Sequence, residues 1–262
     1  MEKPYVGVTG PTSIEEVDSI IHAFSEANYG METPHIPMLG YLVSLKTLNG
    51  EQISNKRYPT FGELSELIKR ADNKVLTMIH YNSRERSTLA DQIRDIFEGL
   101  YSNHLCRALQ LNIVSPDKEQ VALIKKRFPK MQIVLQASGS FMGNRTPQEL
   151  SREIGSYGRS IDYVLIDPSG GRGLEFEIDK SVGIFKELNE KLPYLTIGFA
   201  GGFTHENTAG RIKDLMRKAQ TSQFCIDAEG GLRDKLSNAY GDDLLNINKT
   251  KLYLKEAQKV LS

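Results

Sequence analysis

Short apolar, β-branched runs alternate with longer stretches of helical period along the whole chain. The runs are Tyr5–Thr9, Pro37–Ser44, Val75–Tyr81, Ala108–Ile113, Gln132–Gln136, Tyr163–Asp167, Thr196–Ala200 and Phe224–Asp227. Most are continuously apolar, as in Val164-Leu165-Ile166, which predicts strands covered on both faces, as in a parallel sheet. The helical stretches are Ile14–Asn28, Phe61–Ala71, Ser87–Tyr101, Pro116–Phe128, Gln148–Tyr157, Lys180–Lys191, His205–Ala219 and a last one near Lys249–Leu261. Ser13 with Glu16 and Thr60 with Glu63 have capping-box spacing, and Thr146-Pro147-Gln148-Glu149 adds a proline at the first helical position. Ser115-Pro116 and Thr204-His205 read as further caps. Eight strands, each followed by a helix, predict an α/β fold: a single (β/α)8 TIM barrel domain over residues 1–262. A doubly wound open sheet is the structural alternative. The segments Lys46–Asn55 and Leu232–Asn248 read as irregular.

Composition narrows the class of partner. The chain carries 33 basic and 33 acidic side chains, a net charge of zero, where a nucleic-acid binder normally shows a basic excess. Its sharpest basic run, Lys125-Lys126-Arg127, ends a predicted helix, where cations suit the macrodipole. No apolar run approaches the roughly 18 residues of a membrane span, and Met1-Glu2-Lys3-Pro4 leads into a strand rather than a signal peptide. Cys106 and Cys225 make neither a disulfide framework nor a zinc cluster. The expectation is a cytoplasmic protein with no nucleic-acid or membrane partner, a monomer or homodimer.

In a barrel of this kind the chemistry lies at the C-terminal strand ends and the loops after them. Ala200-Gly201-Gly202-Phe203-Thr204 and Asp227-Ala228-Glu229-Gly230-Gly231 follow strands seven and eight, the recurrent phosphate position. Glycine there lets backbone N–H groups approach an anion; the alternative is a pair of tight turns without a ligand. Asp167 ends strand six, where a partly desolvated carboxyl can act as a general acid or simply cap the turn. Gly170-Gly171-Arg172-Gly173 behind it suits a lid or a second anion contact and lacks the Lys-Ser/Thr of a P-loop.

Five motifs in chain order resemble phosphoribosylanthranilate isomerase. They are Gly7-Val8-Thr9, Lys56-Arg57-Tyr58-Pro59, Leu165-Ile166-Asp167 with Gly170-Gly171-Arg172-Gly173, Phe199-Ala200-Gly201-Gly202, and Ile226-Asp227 with Gly230-Gly231. The resemblance implies a (β/α)8 barrel performing a cofactor-free Amadori rearrangement of a phosphorylated sugar in tryptophan biosynthesis. It implies Asp167 as the acid that protonates the furanose oxygen, Arg57 as a contact to the substrate carboxylate, and Gly201, Gly202, Gly230 and Gly231 as the phosphate site. Asp227 matches the family's aspartate ending strand eight.

The pattern departs at two places. The family's base is a cysteine just before Gly-Ile-Thr, where this chain has Val6, and the family's Gln-Leu-His reads Gln110-Leu111-Asn112 here. Asn112 is kept as a substrate contact. A replacement base should lie at another strand end; His80 is the first candidate, since an imidazole titrates near neutrality, with a structural histidine as the alternative. Asp227 and Glu229 are further candidates, as bases or, with Asp167, as oxygen ligands for a hard cation, although their spacing demands no metal. His22, His35, His104 and His205 fall on helices or loops. The reading is an aldose–ketose isomerase acting on a phosphorylated small molecule. The alternatives are a non-catalytic sugar-phosphate binding protein and a lyase or aldolase on a phosphorylated substrate. No lysine ends strand six, which lowers the weight of imine catalysis.

Overall fold

The computed structural model describes residues 2–51, 53–71, 73–169 and 177–261. Eight parallel strands close a barrel in sequence order: β1 Tyr5–Thr9, β2 Ile36–Ser44, β3 Leu76–Asn82, β4 Ala108–Leu111, β5 Gln132–Ser138, β6 Tyr163–Asp167, β7 Thr196–Ala200 and β8 Cys225–Ala228. Closure is made by β1, whose Val6 lies opposite Pro37 on one side and Ile226 on the other. The outer helices are α1 Ile14–Glu26, α2 Leu45–Leu48, α3 Phe61–Ala71, α4 Leu89–Ser102, α5 Lys118–Arg127, α6 Gly139–Met142, α7 Pro147–Gly155, α8 Ile178–Lys191, α9 Thr208–Ala219 and α10 Ile247–Leu261. No helix among the described residues is long and apolar enough to cross a membrane.

Local chemistry starts the helices largely as the sequence predicts. Thr146 and Glu149 form a reciprocal capping box with Pro147 in the first turn, and Thr60 and Glu63 form another. Ser13 accepts from the Glu16 N–H, but the Glu16 carboxylate turns to the Thr12 N–H instead. At α5 the cap is Asp117 rather than Ser115. At α9 the Thr204 hydroxyl accepts from the Asn207 N–H in a preceding turn, so the helix begins at Thr208, later than the periodicity indicates.

Two stretches expected to be irregular contain structure. Residues 45–48 form α2, capped reciprocally by Ser44 and Thr47. After β8 the chain makes a 3-10 turn over Gly230–Leu232 and then β9, Arg233–Lys235, which pairs antiparallel with β10, Asp243–Leu245.

Strand alternation sorts the side chains into two cores. Val6, Val8, Leu39, Tyr41, Ile79, Val164 and Ile226 face outward and pack with helix residues such as Val17, Ile20 and Leu215. The inward set is apolar at the N-terminal end of the barrel, where Tyr5, Met38, Met78, Val134, Tyr163, Leu165 and Cys225 meet. Continuing inward along the same strands, the next positions are polar and buried: Thr9, His80, Gln110, Gln136, Asp167 and Asp227. The fold thus fills the barrel below its C-terminal mouth with largely apolar side chains and gathers the Asp167 and Asp227 carboxylates and the His80 imidazole at that mouth.

Candidate active site

Asp167 and Asp227 line one pocket at that mouth, together with His80, Gln110, Gln136 and the glycine loops. Both carboxylates are buried. Gln136 Nε2 donates to Asp167 Oδ2 at 2.7 Å, while the Ser169 hydroxyl and N–H donate to Oδ1 at 2.9 and 3.1 Å. Those donors fix the orientation of the Asp167 carboxylate from two sides. Asp227 accepts from the Thr9 hydroxyl at 3.0 Å. Burial, reinforced by the nearby Glu229 charge and opposed by Thr9, pushes the Asp227 carboxyl up to about 7. Its proton affinity is therefore matched to general acid–base work near neutral pH.

His80 sits deep in the same pocket at 1% exposure, over the bare face of Gly40. Burial without a charged partner pushes its imidazole down to about 3, so the ring is neutral at physiological pH and a weak proton acceptor. Its Nδ1 lies 3.4 Å from Gln110 Nε2, which in turn donates to Asn112 Oδ1 at 2.8 Å. His80 Nε2 and Gln110 Oε1 are buried without a hydrogen-bond partner among the described residues. Buried polar groups in that state call for a partner such as an ordered water, an ion or a ligand atom.

Arg57, expected to meet a carboxylate, meets two within the protein. Its Nε donates to Asp243 Oδ1 at 3.0 Å, its second amino group to Asp243 Oδ2 at 2.5 Å, and the other amino group to Glu229 Oε1 at 2.6 Å. The guanidinium also stacks 4.7 Å from the centroid of the Tyr240 ring. Desolvation of Arg57 is outweighed by these acidic partners, which hold it firmly protonated. Burial pushes the Glu229 carboxyl up while Arg57 draws it the other way. Arg233 completes the network, 3.3 Å from Asp243 Oδ1 and bonded to the Gly10 carbonyl.

The paired glycines after β7 and β8 come together. Gly201 and Gly202 have φ of +93° and +67°, the left-handed region that favours glycine. A Cβ on Gly231 would lie 2.0 Å from the Phe203 carbonyl oxygen, so the two loops touch backbone to backbone. No hydrogen bond among the described residues engages the backbone N–H of Gly201, Gly202, Gly230 or Gly231. The lid or anion contact expected of Gly170-Gly171-Arg172-Gly173 lies outside the described residues.

Val6 requires a correction of facing. The motif sets it against the family's base, yet its side chain belongs to the outer core with Val17 and Ile20. The inward positions of β1 are Tyr5, Gly7 and Thr9: Tyr5 joins the inner cluster, a Cβ on Gly7 would strike Asp227, and Thr9 bonds Asp227. The functional group that β1 presents at the mouth is thus the Thr9 hydroxyl. Cys106 and Cys225 are buried in the outer and inner cores, and burial pushes the Cys106 thiol up to about 11. Thr9, Gln136 and Ser169 join the site from the strand ends and following loops where the chemistry was expected, without having been given a role, and Arg233 and Asp243 are site residues that the sequence did not single out. Among the described residues no group of three or more His, Cys, Asp or Glu side chains is arranged to hold a metal ion.

No protein-family model matches the chain, and no curated protein matches it either. Solved structures do. The phosphoribosyl anthranilate isomerase of Thermotoga maritima superposes with a TM-score of 0.64 at 15% identity, covering 98% of this chain and 99% of that one. The TrpF of Jonesia denitrificans gives 0.60 at 19% identity, covering 98% of both chains. The carboxyl transferase domain of Rhizobium etli pyruvate carboxylase, solved with pyruvate, gives 0.55 at 11% identity, covering all of this chain and 49% of that one. At these identities the likeness is one of fold, and for the first two it runs from end to end.

Proposed function

We propose that the protein is a sugar-phosphate isomerase of the phosphoribosylanthranilate isomerase type, converting an N-linked phosphorylated aldose into the corresponding ketose. The observation that carries this reading is the pairing of two buried mouth carboxylates, Asp167 and Asp227, with four glycine N–H groups on the adjoining loops that no hydrogen bond among the described residues engages. The substrate phosphate sits on the N–H groups of Gly201, Gly202, Gly230 and Gly231. Asp167 delivers a proton to the furanose ring oxygen, and the ring opens to an imine. Asp227 removes the proton from the neighbouring sugar carbon, leaving an enol-amine. Protonation of the terminal carbon and loss of the hydroxyl proton then give the ketose, so the balance needs no external oxidant or reductant. Asp227 suits the base role better than His80 because its proton affinity is the one near neutrality. His80 and Asn112 act in substrate binding.

A second reading, a sugar-phosphate binding protein without turnover, is favoured by one observation: both cysteines are buried in the cores rather than presented at the mouth. Phosphorus NMR of the purified protein with N-phosphoribosyl aryl amines separates the two. Ketose formation that Asp167→Asn abolishes, with inorganic phosphate binding retained, supports the isomerase. Full rate in that variant overturns the acid assignment, and saturable binding with no product establishes the binding protein.

A further inference from the structure

Polar side chains form a line across the floor of the mouth, from Asn112 and Gln110 through His80 on β3 and Thr9 on β1 to Asp227 on β8. Gln110 Nε2 donates one hydrogen to Asn112 Oδ1 at 2.8 Å and turns the other toward His80 Nδ1, 3.4 Å away. An amide nitrogen only donates, so Nδ1 is the acceptor of the ring. The ring is neutral, because burial depresses its proton affinity. Its single proton therefore sits on Nε2. Gly40 sets what Nε2 faces. This glycine lies on β2, between the strands that carry Thr9 and His80, and a Cβ there would lie 2.6 Å from both His80 Nε2 and Thr9 Oγ1. The two atoms thus share one bare glycine face, and the Thr9 hydroxyl donates onward to Asp227 Oδ1 at 3.0 Å.

A hydroxyl has one hydrogen to give and lone pairs to accept with. With the proton on Nε2, His80 offers Thr9 a donor, and the Thr9 hydrogen keeps Asp227 as its acceptor. With the proton on Nδ1, Nε2 becomes a bare acceptor that competes with Asp227 for that same hydrogen. The ring's tautomer decides which way the hydroxyl turns. The tautomer is decided in turn by the Gln110 amide, because an amide rotated by 180° would present Oε1 to Nδ1 and demand the other form. Asn112, half-buried on the wall of the carboxylate pocket, holds the amide in its observed orientation.

We propose that His80 is a positioning residue: held as the Nε2–H tautomer by Gln110 and Asn112, it keeps the Thr9 hydroxyl turned onto Asp227. From Gln110 onward each member donates to the next, and the chain ends by favouring the ionised carboxylate. The consequence for turnover rests on the reading of Asp227 as the base of a sugar-phosphate isomerase, whereas the order of the hydrogen bonds does not. Glu229, Asp167, Tyr5, Tyr253 and Cys225 also act on Asp227 through their charges, and all five stay in place in the variants that test the chain.

The test needs no substrate. Nitrogen-15 NMR of the whole protein at neutral pH distinguishes a protonated from a bare ring nitrogen, and His80→Phe identifies the signals by their loss. The parent should carry the proton on Nε2. Gln110→Glu, which puts an acceptor in the place of the amide nitrogen, should move it to Nδ1. Carbon-13 NMR of the side-chain carboxyls then follows the Asp227 midpoint, identified with Asp227→Asn. Gln110→Glu should raise that midpoint by about one unit. In a Thr9→Val background the same substitution should raise it by less than half as much, because the shift travels through the hydroxyl. A proton on Nδ1 in the parent overturns the proposal. Equal shifts in the two backgrounds overturn it as well, since they would come from the added charge acting through space. The parent's tautomer is read on the unaltered protein, so a variant that fails to fold leaves the test standing. Absence of turnover on phosphoribosyl aryl amines would sink the isomerase reading and leave this chain of hydrogen bonds intact.

Discussion

The Thr9 hydroxyl crosses the seam between β1 and β8 to donate to Asp227 Oδ1 at 3.0 Å. It works against the burial and the Glu229 charge that raise this carboxyl to about 7. As the proposed base, Asp227 would be active when ionised, so turnover is expected to climb with pH through about 7 on the acid limb of the profile. Thr9→Val removes the donor that favours the ionised form, and the midpoint should rise by about one unit. A pH–rate profile of the two proteins checks this. A midpoint that stays put would show that Thr9 does not tune the base.

Asp227 also leaves a signature in folding stability. Unfolded, an aspartate titrates near ~3.9; folded, this one titrates at about 7. Between those values the folded chain holds the extra proton, so stability falls as pH rises from about 4 to about 7 and is flat above. The three-unit difference amounts to at most about 4 kcal/mol. Asp227→Asn removes the penalty and should be more stable than the parent at pH 8 but not at pH 4. Urea unfolding at both pH values decides it, and a parent-like slope in the variant refutes the assignment.

Arg57 is expected to matter to the fold as well as to the mouth. Its guanidinium bridges Asp243 and Glu229 in a buried setting, and Arg57→Met leaves both carboxylates without it. Removing one partner of a buried pair costs about 3–5 kcal/mol. Arg57→Met with Asp243→Leu in the same chain should recover a substantial part of that loss. Denaturant midpoints of the single and double variants measure the coupling; additive losses would mean the bridge contributes nothing.

Gly231 has no room for a side chain, its Cβ position lying 2.0 Å from the Phe203 carbonyl oxygen. Gly231→Ala must push the β7 and β8 loops apart and displace the glycine N–H groups proposed to hold phosphate. Phosphate affinity should fall by about tenfold or more, with the barrel's circular dichroism retained. Gly62→Ala, in α3 with open space around it, is the control and should bind as the parent does. Equal affinity in the two variants would remove phosphate from these loops.

The barrel was legible because strands buried on both faces read as continuous apolar runs, and eight of them alternate with capped helices. That same continuity concealed which way each strand faces. In Tyr5-Val6-Gly7-Val8-Thr9 every side chain is buried, and hydrophobicity alone does not separate the inner core from the outer. The Arg57 network was hidden for another reason. Its partners Glu229 and Asp243 lie 172 and 186 residues away, Asp243 on a three-residue strand too short and polar to register as a strand.

Val6→Cys follows from that hidden facing. If position 6 were the vacant seat of the base, restoring a cysteine there would raise turnover. The structure puts the side chain among Val17, Ile20 and the other outer-core residues, with the strand between it and the mouth. A thiol there is buried in apolar surroundings, which disfavours the thiolate needed for proton removal. Val6→Cys should therefore leave turnover and its pH midpoint unchanged. Stability should drop by about 0.5–1.5 kcal/mol from the smaller, less branched side chain. Stopped-time assays across pH, with alkylation of the native protein by iodoacetamide, provide the check. A rise in rate that alkylation abolishes would place position 6 in the cavity and Asp227 outside the base role.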